Sequence, residues 1–235
     1  MYNEHYVFQT KNSFDKPIWR YMDFWKLLNL LETKSIFFSN SDNLGDNNEG
    51  RIPQFILKRM IEEDKEKGSN NNKETNDFLE STLRKSHLIS SWSYAERESF
   101  AMWKMYAKDK TGIAIETDLP SLQESFKNTP RIVYIGEVNY INEDNYYFST
   151  SNMFYPFITK LDFYQFENEI RCITIAEDDE EPVSKLVEVD LNILIKKIHI
   201  SPQSKPEFRK LIKLLRKEYK LEFEICYSKV SDSWL

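Results

Sequence analysis

"LISSWSYAERESFAMWKMYA", Leu88 to Ala107, sets two serines two residues apart in an apolar run, then changes to a helical pattern of large aromatics. Alternation is the period of a β-strand, on which residues i and i+2 share a face about 6.6 Å apart. Ser91 and Ser93 therefore share one face and Trp92 takes the other. Further on, "QFENEIRCITI" (Gln165 to Ile175) repeats the arrangement with Glu167 and Glu169, and Arg171 falls on the same face at the next step. Two carboxylates that close raise each other's proton affinity unless a cation or solvent intervenes. Arg20, in "PIWRYM", and Arg171 are the candidate cations.

Working outward, Asp23 is placed to cap a helix "FWKLLNLLET", with Phe24, Leu27, Leu28 and Leu31 on one face. "SIFFS" reads as a strand and "NSDNLGDNNEG" as a loop with turn chemistry. Helices follow from Pro53 and over "TNDFLESTLRK", then the Ser-x-Ser strand and a helix bearing Phe100, Trp103 and Tyr106. "GIAIET", "RIVYIGEVNY", "ENEIRCITI", "KLVEVD", "IKKIHI" and "LEFEICYS" read as strands. Asn152 to Leu161 reads as helix, "AEDDEEP" (Ala176 to Pro182) as an acidic turn, and "KPEFRKLIKLLRKEY" as an amphipathic helix. There is no regular βαβ beat. The expected class is α+β, with a mainly antiparallel split or two-sheet β core and surrounding helices. The expectation is one domain over residues 1–235, with an exposed helical insertion or loop around 51–85.

Composition narrows the function classes. The chain has 235 residues, 40% hydrophobic and 14% aromatic, enough to bury a substantial core. A net charge of −6 speaks against a generic nucleic-acid binder. Cys172 and Cys226 form no framework and have no metal-ligand spacing with His5, His87 or His199, so a reducing cytoplasm is the expected compartment. The N-terminal "MYNEHYVFQTKNSFDK" has no apolar signal core. No stretch approaches about 18 consecutive apolar residues, so no membrane partner is expected. Rossmann and P-loop glycine motifs are missing.

Two resemblances follow from these residues. "IWRYMDF", "SIFFSNSDNLGDNNEG", "ISSWSY", "SFAMWKMYAKDKTGIAI", "FITKLDFYQFENEIR" and "IHISPQSKPEF" together resemble the bacterial domain-of-unknown-function family 2971 over most of the chain. That resemblance implies a soluble bacterial protein and supplies no activity. The order Arg20, Ser91-x-Ser93, Glu167-x-Glu169 also resembles ADP-ribosyltransferases of the Arg, Ser-x-Ser, Glu-x-Glu type. Trp92 stands where that type has threonine.

The second resemblance implies an NAD-dependent transferase that cleaves the nicotinamide–ribose bond, with NAD as substrate and no metal. It implies that Arg20 binds the pyrophosphate, Ser91 supports the ribose and the catalytic carboxylate, Glu169 is catalytic and Glu167 orients the acceptor. Ser93 belongs to the strand that shapes the nicotinamide–ribose pocket, while Tyr21 and Trp92 offer aromatic faces for stacking. The expectation is that Arg20, Ser91, Glu167 and Glu169 meet in one pocket. The acceptor stays open between protein, nucleic acid, small molecule and water, and a toxin or phage-defence role is one setting for such chemistry.

Other readings of the same residues remain. Ser-x-Ser and Glu-x-Glu-x-Arg runs also occur as plain solvated sheet faces. Asp46 and Glu49 with Glu167 and Glu169 would suit Mg²⁺ in a nuclease, although an ordered turn under the site is the simpler role for that loop. A non-enzymatic binding module would use the aromatics Trp19, Trp25, Trp92, Trp103 and Tyr146/Tyr147, most of which read as core. It would also use the basic face of the helix "KPEFRKLIKLLRKEYK", which could touch nucleic acid and otherwise is solvated above a Phe208/Leu211/Leu214/Leu215 stripe.

Overall fold

The computed structural model describes residues 1–44, 46, 48–66, 73–107, 110–146, 152–177 and 183–230. In chain order, β1 (Ile18–Met22), α1 (Phe24–Thr33) and β2 (Ser35–Asn40) come first. Next are α2 (Gln54–Glu66), α3 (Lys73–Ser86), β3 (His87–Tyr94) and α4 (Phe100–Tyr106). β4 (Ile113–Thr117), α5 (Leu119–Ser125), β5 (Tyr134–Glu137), β6 (Asn139–Ile141) and β7 (Thr159–Leu161) lead to β8 (Glu169–Ile175). The chain continues through β9 (Ser184–Glu188), α6 (Leu191–Leu194), β10 (Lys197–Ile200), α7 (Pro206–Glu218) and β11 (Glu224–Tyr227).

A nine-stranded sheet carries the fold in the order β11-β10-β4-β1-β3-β2-β9, with β8 and β5 branching from β3. Its pairings are antiparallel apart from β10 with β11. β6 and β7 form a separate parallel pair. The branch is what makes the core split. β3 runs beside β8 from His87↔Ile175 to Ser93↔Glu169. Its other edge is divided, with β1 on Ser93 and Tyr94, and β2 on Leu88 and Ile89. Neither strand pairs Ser90, Ser91 or Trp92, so β1 and β2 part there and leave a gap in the sheet.

Partners across a ladder point to the same face. Trp19, Ser93 and Glu169 are in register, so they share a face with Tyr21, Ser91 and Arg171. Ile18, Arg20, Ser90, Trp92, Ile170 and Cys172 point the other way. That second face holds the main core, in which Ile18, Trp92, Ile170 and Cys172 pack with Leu27 and Leu31 of α1, Leu122 of α5 and Ile212 of α7. Each such aliphatic side chain contributes roughly 1.5–3 kcal/mol by leaving water. The first face is covered in two patches. Trp19 and Tyr21 lie against Met102 and Trp103 of α4, while Ile89 and Ile173 lie against Phe8, Phe154 and Phe157. Charged groups lie between the patches.

Local chemistry accounts for the helix starts. Asp23 accepts from the Lys26 N–H at 2.9 Å, and Ser99 and Asp118 cap α4 and α5 in the same way. Several expectations need correction. Residues 152–161 hold a 3-10 turn (Tyr155–Phe157) and the short β7, not a helix. Pro156 fixes its own backbone angle and lacks an N–H, which suits a short turn. Glu167 closes a second 3-10 turn, Asp162–Glu167, and Asn168 is left-handed at φ 42°, so Glu167 is not a strand neighbour of Glu169. On α4 only Trp103 of the three aromatics is buried, because steps of three drift off the core side of a 3.6-residue turn. On α7 the buried stripe is Phe208 and Ile212 with Leu215 and Tyr219 against it, while Leu214 is 64% exposed. Part of the acidic turn, 178–182, and Tyr147 lie outside the described residues.

Candidate active site

A cavity of about 1190 Å³ opens at the gap between β1 and β2. Arg20, Tyr21, Ser91, Trp92 and Ser93 line it from the sheet, and Glu167 and Glu169 from the far side of β3. It is somewhat larger than the roughly 300–1,000 Å³ usual for a small-molecule site.

Glu169 opens β8, and its N–H donates to the Tyr140 hydroxyl at 2.9 Å. Its carboxylate accepts from Arg171 Nε at 2.8 Å and Nη2 at 3.1 Å and from Lys160 Nζ at 3.0 Å, and the Ser91 hydroxyl adds to the pull that keeps it ionised. Glu167 accepts from Lys160 Nζ at 2.7 Å and from the Tyr106 hydroxyl at 3.2 Å. Arg171 is fully buried and also donates to both oxygens of Glu49, at 2.5 and 2.8 Å, and to the Phe157 carbonyl at 2.6 Å. Every N–H of its guanidinium thus has an acceptor. Arg84 of α3 fixes the turn that carries Glu49, donating to the Glu49 carbonyl at 3.0 Å and pairing with Asp42 at 2.9 Å.

Formal charge is the useful property of this cluster. Glu49, Glu167 and Glu169 face Lys160 and Arg171, which leaves one net negative charge. Burial works to raise the Glu169 carboxyl, but Arg171 and Lys160 outweigh it and hold the group far below the usual carboxylate range. Burial works to lower Lys160, and the carboxylates, Glu169 foremost, raise it instead. Partial withdrawal of its hydroxyl from water, reinforced by Glu167 and Glu169, pushes the Tyr106 phenol up to about 12, although the ring is exposed. At neutral pH Glu169 is an anion and Tyr106 is a donor.

The cations beside the glutamates are Lys160 and Arg171, not Arg20. Arg20 is one residue out of phase with Trp19 and so points to the opposite face. There it donates to the Ser90 hydroxyl and, at 3.3 Å, to the Phe37 carbonyl, with its guanidinium carbon 5.3 Å from the Trp92 ring. It lines the same cavity as Ser91 and Glu169. Burial pulls it down to about 10, which still leaves a cation. Ser93 is buried directly across from Glu169. Trp92 is 3% exposed and Tyr21 is 8% exposed, so both rings are committed to packing rather than free to stack on a ligand. The Tyr21 hydroxyl accepts from the Ser99 N–H at 2.8 Å.

Lys160 and Tyr106 carry no periodic signal that would have joined them to the glutamates. Glu49 lies in the loop expected to pack under the site, and does so. The Mg²⁺ alternative loses its donors, because Arg171 and Lys160 hold the places a divalent cation would take beside Glu49, Glu167 and Glu169. Asp46 closes its own turn by accepting from the Asn48 N–H at 2.9 Å.

No curated protein matches the sequence. Solved structures similar to this chain include DarT of Thermus sp. 2.9 in complex with NAD+, at 8% identity and a TM-score of 0.43, covering 91% of this chain and 96% of that one. DarT from the same source in complex with ADP-ribosylated ssDNA is similar at 8% identity and a TM-score of 0.42, covering 94% and 97%. The family model described as Protein of unknown function (DUF2971) matches residues 102–172, from Met102 in α4 to Cys172 in β8, a stretch that contains Tyr106, Lys160, Glu167, Glu169 and Arg171.

Proposed function

We propose that the cavity binds NAD and transfers its ADP-ribose to an acceptor, or to water when none is present. The observation that supports this most is the ionised Glu169 lining, with Ser91 at the gap in the sheet, a cavity that Arg20 also lines. The residue types suit the reaction. As the bond from ribose C1′ to the nicotinamide nitrogen breaks, its electron pair leaves with nicotinamide and positive charge develops on the ribose. A fixed carboxylate lowers the energy of that state more than that of the ground state.

Arg171 and Lys160 fix Glu169 in orientation, and the net negative charge of the cluster favours a developing cation. Arg20 is a planar, permanent donor suited to the pyrophosphate. Glu167, held by Tyr106 and Lys160, orients the nucleophile and takes its proton. The acceptor is a protein or nucleic-acid group, and a toxin or phage-defence effector in a reducing cytoplasm is the setting proposed with it.

The test is release of nicotinamide from NAD by the purified protein, with and without cell extract as acceptor source. Release in either condition, faster with extract, is expected. No release in any condition would return the cluster to a buried structural ion network.

A further inference from the structure

Only part of what Glu49 does for Arg171 needs a charge. Glu169 takes Arg171 Nε and Nη2, and the Phe157 carbonyl takes Nη1. Glu49 takes a further N–H from each of Nη1 and Nη2. A neutral amide or carbonyl oxygen would accept from those groups, as the Phe157 carbonyl does. The chain instead buries a third carboxylate beside two others, which costs desolvation and repulsion.

The placement of that carboxylate is fixed from several sides. Gly50 is left-handed at φ 72°, and a Cβ there would lie 2.5 Å from Phe157 Cε1 and 2.8 Å from the Ser41 hydroxyl. Glycine lets the turn sit this close to the residue whose carbonyl holds Arg171. Arg84 holds the Glu49 carbonyl from α3, and Arg51 pairs with Glu80 of the same helix at 2.9 Å. Glu49 lines the cavity together with Glu167 and Glu169, and its carboxylate lies 3.8 Å from Lys160 Nζ.

The formal charges give that placement a purpose. Glu167 and Glu169 are matched in number by Lys160 and Arg171, the cations that hold them. Those four groups alone are neutral. The one surplus negative charge is the charge that Glu49 brings. A neutral cluster would fix Glu169 in place but would favour a cation at the ribose far less, because each carboxylate would be cancelled by its close partner.

We infer that Glu49 sets the net charge of the site, and so acts on the reaction through Arg171 and Lys160 as a positioning residue. It takes up part of the charge of both cations and leaves that of Glu169 available to a ribosyl cation. This rests on the NAD reading above and adds to it a group from outside the Ser-x-Ser and Glu-x-Glu runs.

The experiment measures nicotinamide release at saturating NAD, and calorimetric binding of two ribose analogues. Iminoribitol is a protonated pyrrolidine, and anhydroribitol is its neutral oxygen counterpart. Glu49→Gln should lower release roughly tenfold and change KM for NAD by less than about twofold, as for the loss of a charge behind the reacting centre. The wild type should bind iminoribitol roughly tenfold more tightly than anhydroribitol, and Glu49→Gln should erase that preference. Adding Lys160→Met to Glu49→Gln returns the cluster to one surplus negative charge. The double variant should recover both turnover and preference, whereas two merely structural lesions would add.

Full turnover in Glu49→Gln overturns the inference. So does a double variant slower than Glu49→Gln alone, or equal binding of the two analogues by the wild type. If Glu49→Gln does not fold, Lys160→Met alone decides. Its two surplus negative charges should raise the preference for iminoribitol by roughly a further tenfold, and an unchanged preference overturns the inference. NAD cleavage without any preference removes the role of Glu49 and keeps the transferase reading. A preference that depends on Glu49, without NAD cleavage, keeps the charge role and removes the reaction.

Discussion

Arg171 and Arg20 sit on interior strands of one sheet, on opposite faces, Arg171 fully buried and Arg20 half-buried. Arg171 is surrounded by Glu49, Glu169 and the Phe157 carbonyl, with no donor left over. Arg20 has a hydroxyl, one long contact to a carbonyl and a tryptophan face, and no carboxylate partner among the described residues. Burial alone lowers the proton affinity of both. Around Arg171 the anions reverse that, and around Arg20 nothing does, so it falls to about 10. A satisfied buried cation holds structure together, whereas an unsatisfied one beside a cavity is available to an incoming anion.

Stability separates the two most strongly. Arg171→Met leaves Glu49 and Glu169 buried with Lys160 as their remaining cation and should cost roughly 3–5 kcal/mol. Arg20→Met strands no anion and should change stability by less than about 1 kcal/mol. Urea unfolding of the two variants checks this, and similar losses would break the comparison.

Turnover is the next largest effect. Glu169→Gln keeps the shape and removes the charge. It should lower nicotinamide release by on the order of 10² to 10³ while leaving NAD affinity nearly unchanged. Equal losses in binding and turnover would mean that Glu169 serves the ground state.

His87 extends the comparison to a group that burial keeps neutral. It stacks on Phe157 at 4.3 Å, its Nδ1 lies 2.9 Å from the Leu83 carbonyl, and its Nε2 is buried without a partner. Burial lowers it from 6.5 to about 4. The unfolded chain therefore takes up the proton first. Stability present above about pH 6.5 is lost as pH falls towards about 4, by on the order of 3 kcal/mol. His87→Phe should flatten that part of the curve of stability against pH.

The elements near the site were largely legible in the sequence because their signals are local. Asp23 announces α1, and the alternation in "HLISSWSY" and "EIRCITI" announces two central strands. The register of Ser91 against Glu169 and Arg171 depends on β3 pairing with β8, which no local pattern states. Its same-face parity was readable once both strands were recognised. That Arg20 lines the cavity without facing the glutamates is hidden for the complementary reason. Which face an arginine points to is fixed by its phase relative to the neighbouring strand, and a single sequence shows only its own strand. The alternating pattern draws Glu167 into the strand because Asn168, a left-handed residue, has no unique sequence mark. Lys160 and Tyr106 reach the cluster only through tertiary packing.

The difference between the two arginines is tested most directly by titration calorimetry of NAD into the wild type and Arg20→Ala. The wild type should bind. Arg20→Ala should weaken binding by roughly 1.5–3 kcal/mol, the value of a charge-assisted contact. Binding by the wild type that is undiminished in Arg20→Ala would contradict the account, as would a wild type that binds no NAD at all.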